Sequence, residues 1–503
     1  TEGSSSTRLV SVYCTYSLPE TGWLNGWSKR IKITIDHTKV DETLTDFPIL
    51  LYLSANSGIN GADVTCIFDE IGSNRKKIAV TTSDGETQCY VEIEKWDAVN
   101  KEAWLWVKVP SISATEDTIL YIYYDNSQPD NTSYVGDIGE TPAQQVWSNH
   151  FVAVYHLNKD PSGSAPQEID STGNGHDGTS QGSMTSGDLV NGKVDGALDF
   201  DGSNDMIEIP DHPDLEGFSE ATFEAWIKMD ANDKDRYIIC KQDAHTLSGT
   251  YKILFDYKAY VSGRNKVISI WGSNVRVEGL TENLAIGTWY YVVGWTDGST
   301  TKIFLNGVED GSKSGNAFDE TDSETVKIGG GESNYHDGII DEVRISNVAR
   351  SPAWIKATYE TVNDNFVNWG SEQTSGPTEI TIIDSAVGQE AVSRPCREMS
   401  FTEVATGDEV ISRPRREIPI VELATGSEVI SRPKREMILA ELATGTEIIF
   451  RPRREMVIVE IATGIEDISR SRREIVLSEL AIGTEVVSRP RKEMILSEVA
   501  VGT

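Results

Sequence analysis

Three acidic residues alternate with small polar ones in the stretch ETDSE, residues 320–324. On a β-strand, alternate side chains lie on the same face, so Glu320, Asp322 and Glu324 would lie together. Such a carboxylate pair could hydrolyse a glycoside, with one carboxyl group as the acid and the other as base or nucleophile. A catalytic strand needs apolar residues at the intervening positions to pack behind it, but here they are a threonine and a serine within the acidic, turn-like NAFDETDSET. We therefore predict a solvated turn, and we expect that the protein is not an enzyme.

Two histidines would share one face of the run HFVAVYH, residues 150–156, if that run is a strand. A nucleophilic site would need a cysteine or serine in a matching turn motif, and none accompanies His150 and His156. The glycine-rich stretch IGGGES (328–333) lacks the lysine and the following helix of a phosphate-binding loop. We therefore interpret His156 as a structural residue.

The composition limits the kinds of protein that this chain can be. With 503 residues it is too long for one hydrophobic core, and its 38% hydrophobic and 25% charged residues are typical of folded domains. The formal net charge of −34 disfavours nucleic acid as a partner, because it would repel a phosphate backbone. No apolar run is long enough to predict a membrane span. The five cysteines form no disulfide framework, although Cys66 and Cys89 lie in strand-like runs and could pair.

Short apolar or alternating runs follow one another from residue 27 to about residue 134, separated by Gly, Asn, Asp and Ser. The runs are RIKITID, FPILLYL, VTCIF, KIAVTT, CYVEIEKW, AWLWVKV and TILYIYY. Strands of this length with turn residues between them predict an antiparallel β-sandwich. The stretches WSKRIKITI (27–35) and LTDFPILLYL (44–53) also resemble the start of a bacterial and archaeal domain family of unknown function. That family commonly precedes a domain of the kind that follows here.

Seven further stretches follow one another between residues 146 and 372. They are VAVYHLN, DSTGNGHDGT, GALDFDGSNDMIEI, FEAWIKM, GTWYYVVGWTDG, IFLNG and GIIDEVRISNVARSPAWI. In order and spacing they resemble the LamG-like, concanavalin A-like jelly-roll domains of secreted and surface proteins. The residue pattern agrees, because FEAWIKM alternates with period two and TDGST separates two strand-like runs as a hairpin turn would. The resemblance implies a jelly roll that recognises a glycan or a protein on its loop surface.

The same resemblance implies a calcium site. Domains of this kind often hold one calcium ion with acidic residues of F-D-G-x-x-D and I-D-E-V stretches, which correspond here to Asp201, Asp205 and Asp341. Calcium takes several oxygen ligands, mostly carboxylates and carbonyls on turns, and these residue types suit it. The alternative is that the Asp-Gly pair is simply a turn and that Asp341 is a buried capping residue.

The last part of the chain repeats a unit of nineteen residues. Glycines recur at positions 388, 407, 426, 445, 464, 483 and 502. Each unit contains two extended runs, such as SEVISR and EMILAELA, and its β-branched residues favour strands over a helix. A unit this short buries a core only by stacking on its neighbours or on other chains. The array therefore predicts a β-rod, which could be a β-solenoid or an intertwined fibre shaft of several chains.

Together these observations predict an all-β protein with two β-sandwich or jelly-roll domains followed by a repetitive β-rod. The predicted parts are an N-terminal arm (1–26), a β-sandwich domain of unknown function (27–140), a LamG-like domain (146–372) and the repeat array (377–503). We expect an extracellular adhesion or recognition fibre at a cell surface, in a filament or on a virion, whose head binds a glycan or a cell-surface ligand. One alternative is a filament subunit that self-associates through its repeats. A second is a polysaccharide hydrolase, which the polar residues of ETDSE disfavour.

Overall fold

The computed structural model describes residues 22–375, apart from 242–250, 260–261, 273 and 332, together with thirteen strands between residues 379 and 496. The chain divides into two compact units, of which one is Glu20–Thr374 and the other contains the repeats. Each unit is described by itself below.

The first part of the larger unit contains eight strands and two short helices. The strands are β1 (Lys29–Ile35), β2 (Leu44–Leu53), β3 (Ile78–Thr82), β4 (Gln88–Cys89), β5 (Val91–Asp97), β6 (Glu102–Ile112), β7 (Thr118–Tyr124) and β8 (Val135–Asp137). The helices are α1 (Cys66–Ile71) and α2 (Thr141–Gln144). Alternation builds these strands: in β1, for example, Ile31, Ile33 and Ile35 are buried and the residues between the isoleucines are half-buried.

Among the described residues, the rest of the larger unit contains sixteen strands and one longer helix. The first eight of these strands are β9 (Phe151–Tyr155), β10 (Thr179–Gln181), β11 (Leu189–Asn191), β12 (Gly196–Asp201), β13 (Met206–Ile209), β14 (Ala221–Met229), β15 (Arg236–Lys241) and β16 (Tyr251–Lys258). They are followed by β17 (Asn265–Trp271), β18 (Arg276–Glu278), β19 (Trp289–Thr296), β20 (Thr300–Leu305), β21 (Val308–Ser314), β22 (Val326–Ile328), β23 (Asp337–Ser346), α3 (Pro352–Val362) and β24 (Val367–Thr374).

These elements form two β-sandwiches, as predicted. The first sandwich consists of a five-stranded sheet, in the order β24-β1-β7-β3-β4, and a four-stranded sheet, in the order β2-β6-β5-β8. The second consists of a seven-stranded sheet, β10-β13-β22-β15-β16-β17-β18, and an eight-stranded sheet, β11-β12-β23-β14-β19-β20-β21, with β9 also paired to β23. One apolar core fills the space within the second sandwich, and another runs from the first sandwich to the outer side of the eight-stranded sheet. Strands β14 and β23 are therefore covered on both faces.

The chain returns to the first sandwich at the end of the larger unit. Helix α3 begins where the Ser351 hydroxyl accepts a hydrogen bond from the Trp354 amide (3.2 Å) and Pro352 occupies the first turn. The Thr361 hydroxyl of α3 then accepts the amide hydrogen of Leu50 in β2 (2.9 Å). Strand β24 pairs with β1, so the last residues of the segment predicted as the LamG-like domain (146–372) lie in a sheet of the first sandwich.

The prediction of a strand at VTCIF is wrong, because Cys66 lies at the start of helix α1. The Asp63 carboxylate accepts the amide hydrogen of Thr65 (2.9 Å) and starts a turn there, and Ile67, Phe68 and Ile71 then face the core at helical spacing. Both Cys66 and Cys89 are free thiols, so the disulfide considered from the sequence is absent from the described residues.

Within the repeat unit, the described strands fall into two parallel sheets. One contains β25 (Glu379–Ile382), β27 (Glu398–Phe401), β29 (Ile418–Ile420), β31 (Met437–Leu439), β33 (Met456–Ile458), β35 (Ile475–Leu477) and β37 (Met494–Leu496). The other contains β26 (Gly388–Ser393), β28 (Gly407–Ser412), β30 (Gly426–Ser431), β32 (Gly445–Phe450), β34 (Gly464–Ser469) and β36 (Gly483–Ser488). Neighbouring strands pair in register, so that Gly407 lies beside Gly426 and Gly426 beside Gly445. The turns of the array, and residues 1–21 of the predicted N-terminal arm, lie outside the described residues.

Candidate functional site

Two of the three predicted calcium ligands lie together in the turn that follows β12. One carboxylate oxygen of Asp201 accepts the amide hydrogens of Ser203 (2.7 Å) and Asn204 (3.1 Å). The carboxylate of Asp205 accepts the amide hydrogen of Asp201 (3.1 Å), which closes the turn. Burial, and then the negative charge of Asp201, raises the pKa of Asp205 to about 6. The turn thus holds two carboxylates close together.

The third predicted ligand, Asp341, lies elsewhere on β23. Asp201 pairs with Asp337, four residues from Asp341, which is a distance of about 13 Å along a strand. The Asp341 side chain is fully buried, and one of its oxygens accepts the amide hydrogens of Lys193 (2.6 Å) and Val194 (2.9 Å). Calcium ligands lie about 2.3–2.6 Å from the ion, so these three carboxylates do not fit one ion. A calcium ion at the Asp201 turn stays a prediction.

A buried cluster of charged side chains surrounds His156, between the two sandwiches. Its Nδ1 atom lies 2.6 Å from Glu342 Oε1 and 3.3 Å from Glu94 Oε2, and its Nε2 atom lies 3.1 Å from Glu92 Oε2. Burial alone would lower the pKa of His156, but the charges of Glu342, Glu94 and Glu92 raise it well above its usual value. Since both ring nitrogens face carboxylates, His156 is a doubly donating imidazolium.

A β-bulge places Glu342 in this cluster. Strand β14 aligns Trp226 with Asp341 and Glu224 with Arg344, so β23 has one residue more than β14 between these two pairs. Glu342 has a φ angle of 50°, in the left-handed region that residues other than glycine rarely adopt. In a regular strand, residues three apart, such as Asp341 and Arg344, would point to opposite faces of the sheet. The bulge turns both of them towards the first sandwich.

Side chains of both sandwiches complete the cluster, which we call the His156 cluster and define as Glu92, Glu94, His156, Glu342 and Arg344. The indole of Trp106 donates to Glu94 (2.7 Å) and that of Trp147 donates to Glu92 (2.5 Å). Arg344 donates to Glu342 (2.5 Å), and its guanidinium lies over the Trp106 ring at 4.3 Å. All five members are at most 5% exposed. The Glu94, His156 and Glu342 side chains are close enough to share a metal ion, but all three are buried, so a bulky substrate cannot reach them. Because its members come from both sandwiches, the cluster links the two.

The partners of His156 could not be identified from the sequence. Glu92 and Glu94 alternate with Val91 and Ile93 in VEIEKW, a pattern that normally places the glutamates in water. The structure buries them because the second sandwich covers that face of β5. The histidine at the end of the apolar run VAVYH is the one feature of the sequence that could indicate a buried acidic partner for His156.

The residues of ETDSE lie outside any strand, as predicted. Asp322 contributes to an ion cluster around Lys241, whose ammonium is fully buried and lies 2.5 Å from Asp211, 3.3 Å from Glu216 and 3.4 Å from Asp322. The backbone carbonyl of Glu324 accepts a hydrogen bond from the same ammonium (2.5 Å). This stretch therefore neutralises a buried lysine instead of presenting three carboxylates on one strand face.

The outer face of the seven-stranded sheet carries aromatic and charged side chains. Ile253 and Phe255 of β16 pack into the core, so Lys252 and Asp256 point away from it. The ammonium of Lys252 lies 5.7 Å from the centre of the Trp271 ring. The described residues of this outer face include Tyr237, Cys240, Lys252, Leu254, Asp256, Ser269, Trp271, Arg276 and Glu278.

Trp271 and Arg276 form the accessible rim of the outer face. Both are half-buried, whereas Tyr237, Lys252 and Asp256 are at most 8% exposed. The Arg276 guanidinium stacks on the Trp271 ring at 3.6 Å, and the indole nitrogen of Trp271 has no hydrogen-bond partner among the described residues. An aromatic ring beside charged donors can contact a ligand that is apolar on one side and polar at its edges.

Two family models match parts of the larger unit. Residues 201–356 match a laminin G-type family described as the concanavalin A-like lectin/glucanases superfamily, and residues 74–143 match a domain of unknown function, DUF2341. The larger unit is thus a tandem of β-sandwiches. It contains a concanavalin A-like domain with a DUF2341 domain before it, as the sequence indicated.

The solved structures that match parts of this chain are distant in sequence. Domain 4 of AbnA, an extracellular arabinanase of Geobacillus stearothermophilus solved with arabinotriose, is 21% identical, with a TM-score of 0.34, and the match covers 41% of this chain and 96% of that domain. The botulinum neurotoxin serotype D ligand-binding domain solved with N-acetylneuraminic acid is 15% identical, with a TM-score of 0.32 and coverage of 43% and 52%. The binding domain of Paraclostridial Mosquitocidal Protein 1 is 11% identical, with a TM-score of 0.33 and coverage of 42% and 52%. The chain thus spans about half the length of the two toxin domains.

Neither a curated relative nor, within the described residues, a membrane-spanning helix is found. Among curated proteins, no sequence matches this chain. In the part of the chain that the structure describes, no helix has the length and apolarity needed to cross a membrane.

Proposed function

We propose that this chain is an extracellular, non-enzymatic recognition protein whose concanavalin A-like domain binds a glycan. The observation that carries the proposal is the match of residues 201–356 to a superfamily of lectins and glucanases. Of those two activities, binding is favoured, because the one candidate motif for hydrolysis lies in a loop where Asp322 pairs with the buried Lys241. Proteins that bind glycans without cleaving them act mainly in adhesion and recognition, and a cell-surface, filament or virion location suits that role.

The rim of the outer face is the contact surface that we assign to the glycan. Sugar rings have apolar C–H faces and polar edges, so a half-exposed tryptophan beside an arginine offers complementary groups. Trp271 and Arg276 are such a pair, at 3.6 Å.

A calcium ion at the turn of Asp201 and Asp205 is the second part of the proposal. The two carboxylates and the turn carbonyls offer the oxygen ligands that calcium prefers. Its binding would order the loop surface of the domain. Titration of the full chain with calcium, compared with an Asp201→Asn variant, tests this: equal calcium affinity in both proteins would remove the site.

The repeat array forms, in this proposal, a β-solenoid within one chain. The in-register parallel pairing at an offset of nineteen residues supports a coil per repeat, and stacked strands about 4.8 Å apart would give a short rod. A single-chain solenoid predicts a particle of 55.4 kDa in solution. Light scattering tests this, because a fibre shaft of several chains would show a multiple of that mass. A filament subunit would show open-ended polymers in electron micrographs.

Glycan binding is tested with the full chain on a glycan array, followed by titration of the best ligand. Replacing Trp271 by alanine should weaken binding about tenfold or more, as is common for a tryptophan at the centre of a contact. The matched control is Trp289→Ala, because Trp289 is also half-buried beside a lysine ammonium (Lys228, 5.4 Å) but belongs to the eight-stranded sheet. Equal binding by the wild-type protein and the Trp271 variant would exclude the rim, and an array without signal would argue against a glycan ligand.

A further inference from the structure

A second group of possible metal ligands lies apart from both the His156 cluster and the Asp201 turn. His176, His212 and Asp214 each place one ligand atom within 4.8 Å of those of the other two. His176 Nε2 lies 3.9 Å and His212 Nδ1 lies 3.3 Å from the same oxygen of Asp214. The two imidazole rings are 4.7 Å apart between centroids. The two distances to Asp214 are near the spacing of about 3.3 Å that tetrahedral ligands have around zinc at about 2.0–2.1 Å.

One nitrogen of this group is buried and has no hydrogen-bond partner among the described residues. It is the Nε2 atom of His176, a residue that is 6% exposed. A buried imidazole nitrogen without a partner is unfavourable unless something else satisfies it. Nδ1 of His212 accepts the Asp214 amide hydrogen at 3.2 Å, so a metal bound at this nitrogen would replace that hydrogen bond.

Both loops that carry the three residues are held in place without a metal. The carbonyl of His176 accepts a hydrogen bond from the buried Tyr155 hydroxyl (2.5 Å), and its amide donates to Asp170 (3.1 Å). The other loop is held at its two ends by the ammonium of Lys241, which lies 2.5 Å from Asp211 and 3.3 Å from Glu216. Binding therefore requires little loss of backbone freedom, which is the condition for a tight site.

We propose that His176, His212 and Asp214 bind a divalent transition metal ion, with zinc as the expected ion. Two imidazoles and one carboxylate suit zinc, whereas calcium and magnesium prefer sites made of oxygen atoms alone. His212 and Asp214 are exposed, with side-chain exposures of 49% and 60%, so water completes the coordination. The site joins the loop before β10 to the loop after β13, at residues that the sequence did not indicate as ligands.

The proposal is tested by titrating the metal-free full chain with zinc in competition with a chromogenic chelator. We expect one tight zinc equivalent that His212→Ala and Asp214→Asn each weaken about tenfold or more, since even outer-shell substitutions cost that much at zinc sites. Cobalt gives a second measurement, because tetrahedral cobalt with these ligands absorbs visible light far more strongly than octahedral aqueous cobalt. Both variants change exposed side chains and should fold, which circular dichroism would verify.

His37→Ala is the matched control. His37 is also half-exposed and contacts a carboxylate, Asp117, at 2.7 Å, but its group contains only one imidazole. We expect unchanged zinc affinity in this variant. The proposal is overturned if wild-type protein binds no zinc equivalent tightly, or if His212→Ala binds zinc as the wild type does. An equal loss in His37→Ala would also overturn it, by assigning the zinc to the other group.

Discussion

Replacing His156 by alanine removes the cation at the centre of the His156 cluster and leaves its acidic partners in place. Glu92, Glu94 and Glu342 are 0%, 5% and 1% exposed, so water cannot solvate the charges that remain. Removing one partner of a buried ion pair costs about 3–5 kcal/mol, and we expect the free energy of unfolding of the larger unit to fall by that amount. Protonation of Glu94, whose pKa burial already raises to about 8, relieves part of the repulsion and sets the lower end of the range.

His37→Ala provides the comparison for burial. His37 Nδ1 lies 2.7 Å from Asp117, nearly as close as the shortest contact of His156 (2.6 Å, to Glu342), but the side chains of His37 and Asp117 are 40% and 49% exposed. Exposed ion pairs contribute about 0–1 kcal/mol, so this variant should unfold almost as the wild type does. The two substitutions remove the same side chain from the same type of partner. Their difference therefore measures the effect of burying the carboxylates.

The assay is urea denaturation followed by tryptophan fluorescence. All 12 tryptophans precede residue 376, so the signal reports on the larger unit and not on the repeats. The lost free energy should appear as an earlier midpoint with an unchanged slope, because the surface exposed on unfolding does not change. If His156→Ala unfolds within about 1 kcal/mol of His37→Ala, the carboxylates are not held as charges and our account of the cluster is refuted.

Three further predictions use the same assay. The free energy of unfolding should fall from pH 6 to pH 9. The pKa of His156 is raised in the folded protein, so its favourable charge is lost as the pH rises, and Glu94, with a pKa of about 8, must ionise while buried. A free energy of unfolding that does not change with pH would contradict this. Gly192→Ala should cost about 1–3 kcal/mol by crowding. The new Cβ atom at position 192 would lie 2.6 Å from the Asp341 carboxylate. If the variant is as stable as the wild type, the loop has moved to make room for it. Ser351→Ala should cost about 1 kcal/mol through loss of the cap of α3, and Ser351→Asp, which restores an acceptor, should recover most of it.

Much of the sandwich architecture could be predicted because strand periodicity is local. RIKITID and TILYIYY show the alternation or apolar content of β1 and β7, and these strands pair as neighbours. Helix α1 was missed because a six-residue helix with a buried face looks like a short apolar strand. The return of β24 to the first sandwich could not be seen, because which sheet a strand joins depends on contacts far away in the chain.

The His156 cluster shows the same limit at the level of single side chains. Glu92 and Glu94 have the spacing of solvent-facing residues, and nothing near them in sequence says that β23 covers them. The bulge at Glu342 is also invisible, since one additional residue changes which side chains share a face without changing the composition of the strand. Predicting the calcium ligands by position placed Asp341 beside Asp201, whereas the register separates them by four residues.

A buried ion cluster is a poor source of stability, because apolar side chains of the same volume often stabilise a protein as well or better. The ion cluster does, however, determine how the two sandwiches are positioned relative to each other. An apolar interface tolerates sliding, but each carboxylate here has a specific donor. If the sandwiches were displaced, Glu92 and Glu94 of the first sandwich would no longer face His156 of the second. The pairing of β24 with β1 and the contact of α3 with β2 also hold the two sandwiches in one arrangement. The concanavalin A-like domain is therefore fixed to the domain before it, and any ligand bound at Trp271 would be presented in one orientation relative to both.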